Sequence, residues 1–281
     1  MEKIVVGVDD SDAARSALEW VADRCARHAA DVEVVHVVAS ADAHTTPQRD
    51  PLGNAERVLR AAAPGQDATY HRAKGGVADT LREVSAHADL LVIGVDPEHP
   101  VRAAVGGWLP VRVIARTEPP VCVVPAGWVP RPGTITVGLE DDVSSAEAVT
   151  FAAREAETTR AEAQVKIAQS WRLPEPSIDG AAALLVQPER ILVEHRELLD
   201  ATVRSVRRRF PALHIEADLV RSDPAAALLQ QAPHSAMIVV GTHREGVVSG
   251  AFVGSVDRDL LWHAGCPIAV VPASSFPAKG A

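Results

Sequence analysis

Short apolar runs alternate along the chain with longer segments whose apolar residues recur every three or four positions. The runs read as strands buried on both faces, and the longer segments as amphipathic helices. In the first half the pattern predicts strand 4–8, then a helix carrying Ala14, Ala17, Leu18, Val21 and Cys25 on one face. Asp10, Ser11 and Asp12 precede that helix and supply an N-cap and negative charge at its start. Strand 32–38 follows, then a weak helix through Ala55, Val58, Leu59 and Ala62, a strand near 68–73, a helix over 77–87, strand 90–95, a helix over 107–116 and strand 121–125. Strands alternating with helices imply right-handed βαβ units and a parallel sheet covered on both faces. Ligands of such sheets bind beyond the carboxyl ends of the strands, at the point where strand order reverses.

The pattern is then written again. Ile4-Val5-Val6-Gly7-Val8-Asp9-Asp10 matches Ile135-Thr136-Val137-Gly138-Leu139-Glu140-Asp141 at an offset of 131 residues. Leu91-Val92-Ile93-Gly94 matches Ile238-Val239-Val240-Gly241, and Pro120–Pro125 matches Pro267–Pro272, both at an offset of 147. The second copy therefore carries an insertion, around residues 172–190, with Pro174, Pro176, Pro188 and an apolar stretch over 181–186. A lid over the second copy's site and a partner contact are both open readings for it. A stripe from Ile191 through Leu199 and Val203 to Phe210 predicts a long second helix in this copy. Two α/β domains follow, 1–126 and 134–273, joined by a short Pro- and Gly-containing linker.

Composition agrees with this division. A chain of 281 residues has room for two ordinary domains, and 47% apolar residues can fill two cores. Aromatics are only 4%, so Ala, Val, Leu and Ile must do most of the packing. The formal net charge of −9 argues against a nucleic-acid surface, which needs many cations. Arg207, Arg208 and Arg209 read as a solvated helix end. Cys25, Cys122 and Cys266 are odd in number, fit no metal spacing and sit in apolar patterns, so each reads as a buried thiol in a reducing, cytoplasmic setting. The chain begins directly with a strand pattern and no signal peptide. It has no apolar run of the roughly 20 residues a membrane helix needs.

The loop after the second copy's fourth strand carries the most chemistry. Gly241 leaves the strand, Thr242 to Val253 follow, and Gly254-Ser255-Val256 opens the next helix. Glycines let backbone approach a phosphate, and free N–H groups at a helix start donate to it. Here the chain resembles the universal stress protein family, whose ATP-binding members carry G-x2-G-x9-G-[ST] in this loop. Gly241, Gly254 and Ser255 match, and Arg244 stands at the middle glycine. The first copy has Gly94, Pro97, Gly107 and Trp108 in the same register. The family's acid at the end of strand one is Asp9 in the first copy and Glu140 in the second. The ending Cys266–Pro272 also looks like the family's last strand.

The resemblance implies two tandem doubly wound domains, each a five-stranded parallel sheet in strand order 3-2-1-4-5, similar to the adenine-nucleotide α-hydrolase fold. It implies a regulatory role in stress response, and an adenine nucleotide such as ATP in the second domain, with Mg²⁺ only together with that nucleotide. The expected ligand-binding residues are Gly241, Arg244, Gly254, Ser255, Val256 and Glu140, with Asp9 in the first copy, and the end of strand two near Ala168 and Gln169 facing the base and sugar. The expected partners are the two halves themselves, paired through their last strands, and a homodimer of the whole chain, with neither nucleic acid nor membrane.

Structural readings stand beside these. Gly94 and Gly241 can simply end strands, and Gly107 and Gly254 can allow tight helix packing. Asp9, Glu140 and the Asp9-Asp10-Asp12 group can serve the following helix as caps. The chain contains no P-loop, no G-x-G-x-x-G after a first strand and no G-x-S-x-G elbow. No catalytic base or nucleophile stands out, so the chain is expected not to be an enzyme. An interaction module with degenerate pockets is the second reading. An enzyme of the wider α-hydrolase type is the third, by fold analogy alone.

Overall fold

The computed structural model describes residues 1–38, 50–96, 109–158, 164–172, 187–242 and 255–273. The first half comprises β1 (Glu2–Gly7), α1 (Asp12–Arg27), β2 (Ala30–Val38), α2 (Pro51–Ala62), β3 (Ala68–Lys74), α3 (Val77–Ser85), β4 (Leu90–Val95), α4 (Leu109–Ile114) and β5 (Val121–Pro125). The second comprises β6 (Thr134–Leu139), α5 (Val143–Thr158), β7 (Gln164–Trp171), α6 (Pro188–Arg209), β8 (His214–Arg221), α7 (Pro224–Gln231), β9 (Ser235–Thr242), α8 (Ser255–His263) and β10 (Ile268–Pro272).

All ten strands form one sheet in the order β3-β2-β1-β4-β5-β10-β9-β6-β7-β8. Each half is the order 3-2-1-4-5, and within each half every neighbouring pair is parallel. The halves meet through their last strands, β5 and β10, which pair antiparallel. That pairing covers an apolar edge of each half.

Strand residues alternate between two cores, one on each face of the sheet. Ile4, Val6, Cys122, Val124, Ala269 and Val271 join the core under α1, α2, α5 and α6. Val5, Val121, Val123, Ile268 and Val270 join the core under α3, α4, α7 and α8. Both cores run without a break from one half into the other, and the inner strands, buried on both faces, therefore read as continuous apolar runs. The small residues of α1 do the same for helix packing: Ala14, Ala17, Val21 and Ala22 are buried against the sheet.

Local chemistry fixes the helix starts. Ser11 caps α1 by accepting from the Ala14 N–H, and Asp223 caps α7 by accepting from Ala225 and Ala226. Pro51, Pro188 and Pro224 occupy first-turn positions, where a missing N–H costs nothing. Pro188, assigned to the insertion in the repeat comparison, is the first residue of α6; residues 173–186 lie outside the described residues. Among the described residues no helix is long and apolar enough to cross a membrane.

Candidate functional site

In the second half, strand order reverses between β6 and its two neighbours, β9 and β7. The carboxyl ends of β6 and β9 and the start of α8 therefore face one crevice, the expected ligand position for this topology. Leu139 is the last residue of β6, and Glu140 follows it directly. Gly241 and Thr242 are the last residues of β9. Ser255 begins α8, whose first-turn N–H groups have no partner within the helix. Arg244 and Gly254 lie outside the described residues, as do Pro97, Gly107 and Trp108 in the first half.

The two strand-one acids play different parts. Asp9 accepts from both the N–H (2.9 Å) and the hydroxyl of Ser11, the residue that caps α1. Ser11 Oγ in turn accepts from the Ala14 N–H at 3.1 Å. Asp9 is thus the outer member of a capping network, as the structural reading of that acid expects. In the second half the equivalent cap is Asp142, which accepts from the Ser145 N–H at 2.6 Å and the Ser144 hydroxyl at 2.8 Å. Its carboxylate does directly what Asp9 and Ser11 do together. Glu140 is left out: only its backbone N–H is engaged, donating to Ser145 Oγ at 2.9 Å. The exposed Glu140 carboxylate has no hydrogen bond or ion pair among the described residues.

Gly241 is placed at the crevice, but its lack of a side chain serves the fold. A Cβ there would lie 2.5 Å from the carbonyl carbon and the hydroxyl of Ser144, in the first turn of α5. Gly94 in β4 has the same relation to Ala13 and Ala14 of α1. Neither glycine ends its strand, since Val95 and Thr242 continue the pairing. Both let the start of a helix lie directly on strand four.

Val256 is partly buried and packs against the core under α3, α4, α7 and α8. Ala168 and Gln169 are also buried. Gln169 lies under α6, where its amide pairs with His195 Nδ1 at 2.9 Å, and its Oε1 has no partner among the described residues. Neither side chain opens to a base or sugar as expected; the register Leu139–Gln169 commits the strand backbone to the sheet.

Two cavities lie near the seam and the site. One of about 270 Å³ runs between α5 and α6, with Glu140 and Asp142 at one end and Thr150, Thr202, Arg209 and Phe210 along it. It adjoins the end of β6 at Leu139 and Glu140. The other, about 310 Å³, lies at the amino ends of the strands between α1, the linker and the second half, lined by Trp20, Arg24, Trp128, Arg131, Glu155 and Met237. The sequence gives no sign of it, because its walls come from segments more than a hundred residues apart. Among the described residues no cluster of three or more His, Cys, Asp or Glu is arranged to hold a metal ion. The three thiols are free: burial pushes Cys25 and Cys266 up to about 11 and Cys122 higher still.

Comparison with known proteins gives the same picture of the whole chain. The universal stress protein family matches residues 1–125 and again 133–272. The universal stress protein Rv1996 of Mycobacterium tuberculosis is 25% identical over 312 residues, covering 98% of this chain and 96% of that protein. A universal stress protein of Mycolicibacterium smegmatis is 24% identical over 288 residues, covering 95% and 96%. The crystal structure of a universal stress protein from Archaeoglobus fulgidus superposes with a TM-score of 0.66 at 13% identity, covering 95% of both chains, so the likeness is one of fold. With two matches spanning nearly its whole length, on two copies of one fold, the chain belongs to the universal stress protein family.

Proposed function

We propose that the chain is a regulatory protein of the stress response that takes up one adenine nucleotide, at the switch point of its second half. One observation carries this reading: the Glu140 carboxylate stands exposed and without a partner among the described residues at the end of β6, while its counterpart Asp9 is committed to a helix cap. An unpaired carboxylate at that position is suited to accept from ribose hydroxyls. The first-turn N–H groups of α8 are donors available to phosphate, and the sequence motif adds the Ser255 hydroxyl. From the sequence motif, Gly254 and Arg244 would complete that contact, Arg244 as a bidentate cation. Mg²⁺ would arrive with the nucleotide and not ahead of it. The role proposed here is binding without turnover.

The test is nucleotide content. Purified protein is denatured and the supernatant chromatographed, with Glu140→Gln and Gly254→Trp run alongside. Bound adenine nucleotide, reduced in both variants, is expected. No nucleotide in the wild type, together with no uptake on incubation with millimolar ATP, overturns the reading.

A second reading, an interaction module with closed pockets, is favoured by the glycines. Packing against Ala13 and Ser144 accounts for Gly94 and Gly241 without any ligand. Partner capture that persists in Gly254→Trp would support it.

A further inference from the structure

Arg24 of α1 and Glu155 of α5 form a buried bidentate pair across the seam between the halves. Nη2 donates to Oε1 at 2.6 Å and Nη1 donates to Oε2, with the side chains 6% and 8% exposed. Arg24 also donates to Glu2 at 2.8 and 3.1 Å and lies 5.6 Å over the Trp20 ring. Burial alone lowers the pKa of Arg24, but Glu155 and Glu2 outweigh it and the net direction is upward, so the charge is held.

The two residues are 131 apart, the same offset that carries α1 (Asp12–Arg27) onto α5 (Val143–Thr158). They occupy the same position on equivalent helices. The strands agree: Cys122 pairs with Ala269, its equivalent in β10, and Val121–Val270 and Val123–Ile268 lie on either side. The approximate two-fold axis relating the halves runs through these pairs. On a two-fold axis each residue of a self-paired module meets its own copy. At the strands this would pair alike with alike. At Arg24–Glu155 it would not, because the halves carry opposite charges there.

We propose that the Arg24–Glu155 pair selects the partner across this seam: the first half accepts the second half, and each half is set against pairing with its own kind. Two second halves would bury two Glu155 carboxylates face to face. The position equivalent to Glu2 is Gly133, so the second half has a basic residue at neither equivalent position. Two first halves would bring two Arg24 guanidinium groups together, each left with only its own Glu2. A buried charge without its counter-charge is strongly disfavoured, and opposed like charges are a common device against the wrong partner.

The Cys122–Ala269 pair provides the readout, since cross-strand neighbours in an antiparallel pair fall within disulfide range. Two full-length chains are made without Cys25 and Cys266. One keeps Cys122 and carries Arg24→Glu. The other carries Cys122→Ala, Ala269→Cys and Glu155→Arg. Each alone opposes like charges in its own seam. When the two are mixed, the glutamate introduced in the first half of one chain faces the arginine introduced in the second half of the other. Co-refolded and oxidised, the mixture is expected to give at least tenfold more interchain disulfide than the same cysteine pair of chains with native charges. Equal cross-linking in the two mixtures overturns the proposal. Circular dichroism of each chain establishes that it folds. If either reversal does not fold, unfolding midpoints of Arg24→Gln, Glu155→Gln and the double variant decide: coupling between the two is expected, and additive effects overturn the proposal.

Discussion

A Cβ on Gly94 would lie 2.1 Å from the carbonyl oxygen of Ala13, closer than any real side chain approaches backbone. The start of α1 rests directly on β4, and the start of α5 rests on β9 at Gly241 in the same way. Because the obstructing atoms are largely backbone, no rotamer change relieves the clash. Gly94→Ala and Gly241→Ala are each expected to cost about 1–3 kcal/mol or more, in the range for overpacked cores. Gly265→Ala, where a Cβ meets nothing within 4 Å, is expected to stay within about 0.5 kcal/mol. Chemical denaturation of the three variants checks this.

This pair also shows what can be read from sequence. The strands, helices and repeat follow from apolar patterns local in the chain, whereas the strand order and the seam through the last strands are what the family resemblance implies. The reason for Gly94 does not, because a glycine near a strand end looks the same whether it ends the strand or admits a helix. Gln169 escapes the sequence for a similar reason. Period-two alternation puts it on a face, but only α6 and His195 decide that the face is closed. The Arg24–Glu155 contact leaves one signal in the sequence, its separation of 131, which equals the offset of the repeat. That signal means something only once the two copies are known to pair about an axis.

The strand-one acids should separate in stability measurements. Asp9→Asn weakens the network that caps α1, and a loss of about 0.5–2 kcal/mol is expected, as for other N-cap changes. Asp142→Ala removes the α5 cap and should cost a similar amount. Glu140→Gln touches no partner among the described residues, and its stability should match the wild type within about 0.5 kcal/mol. Thermal and urea melts of the three variants make the comparison.

Removing Glu155 takes from the buried Arg24 its more buried counter-charge and leaves it Glu2. Glu155→Ala is expected to destabilise the chain by about 1.5–3 kcal/mol, beyond the exposed pair Arg190–Glu194, whose loss should cost under about 1 kcal/mol. Urea denaturation at neutral pH, with Glu194→Ala as the comparison, reads the difference.

The thiols give a pH dependence of defined sign. Burial raises Cys25 and Cys266 from about 9 to about 11, so above pH 9 the unfolded chain loses protons that the folded chain keeps. Folded stability from these groups is therefore complete below about pH 9 and falls as pH rises toward 11. Unfolding midpoints between about pH 8 and 11 should decline in the wild type and decline less in a Cys25→Ala, Cys266→Ala variant. The same shift should keep both thiols slow toward iodoacetamide at about pH 8 until the chain is unfolded.

The two halves share one fold, and among the described residues their strand-one acids differ: Asp9 is committed to a cap and Glu140 is not. The most direct measurement is calorimetric titration of the nucleotide-free full-length chain with ATP and Mg²⁺, repeated with Glu140→Gln and with Asp9→Asn. One ATP per chain is expected, weakened at least severalfold by Glu140→Gln and unchanged by Asp9→Asn. No binding heat at millimolar ATP, or binding that Asp9→Asn weakens and Glu140→Gln leaves alone, would contradict the assignment of the site to the second half.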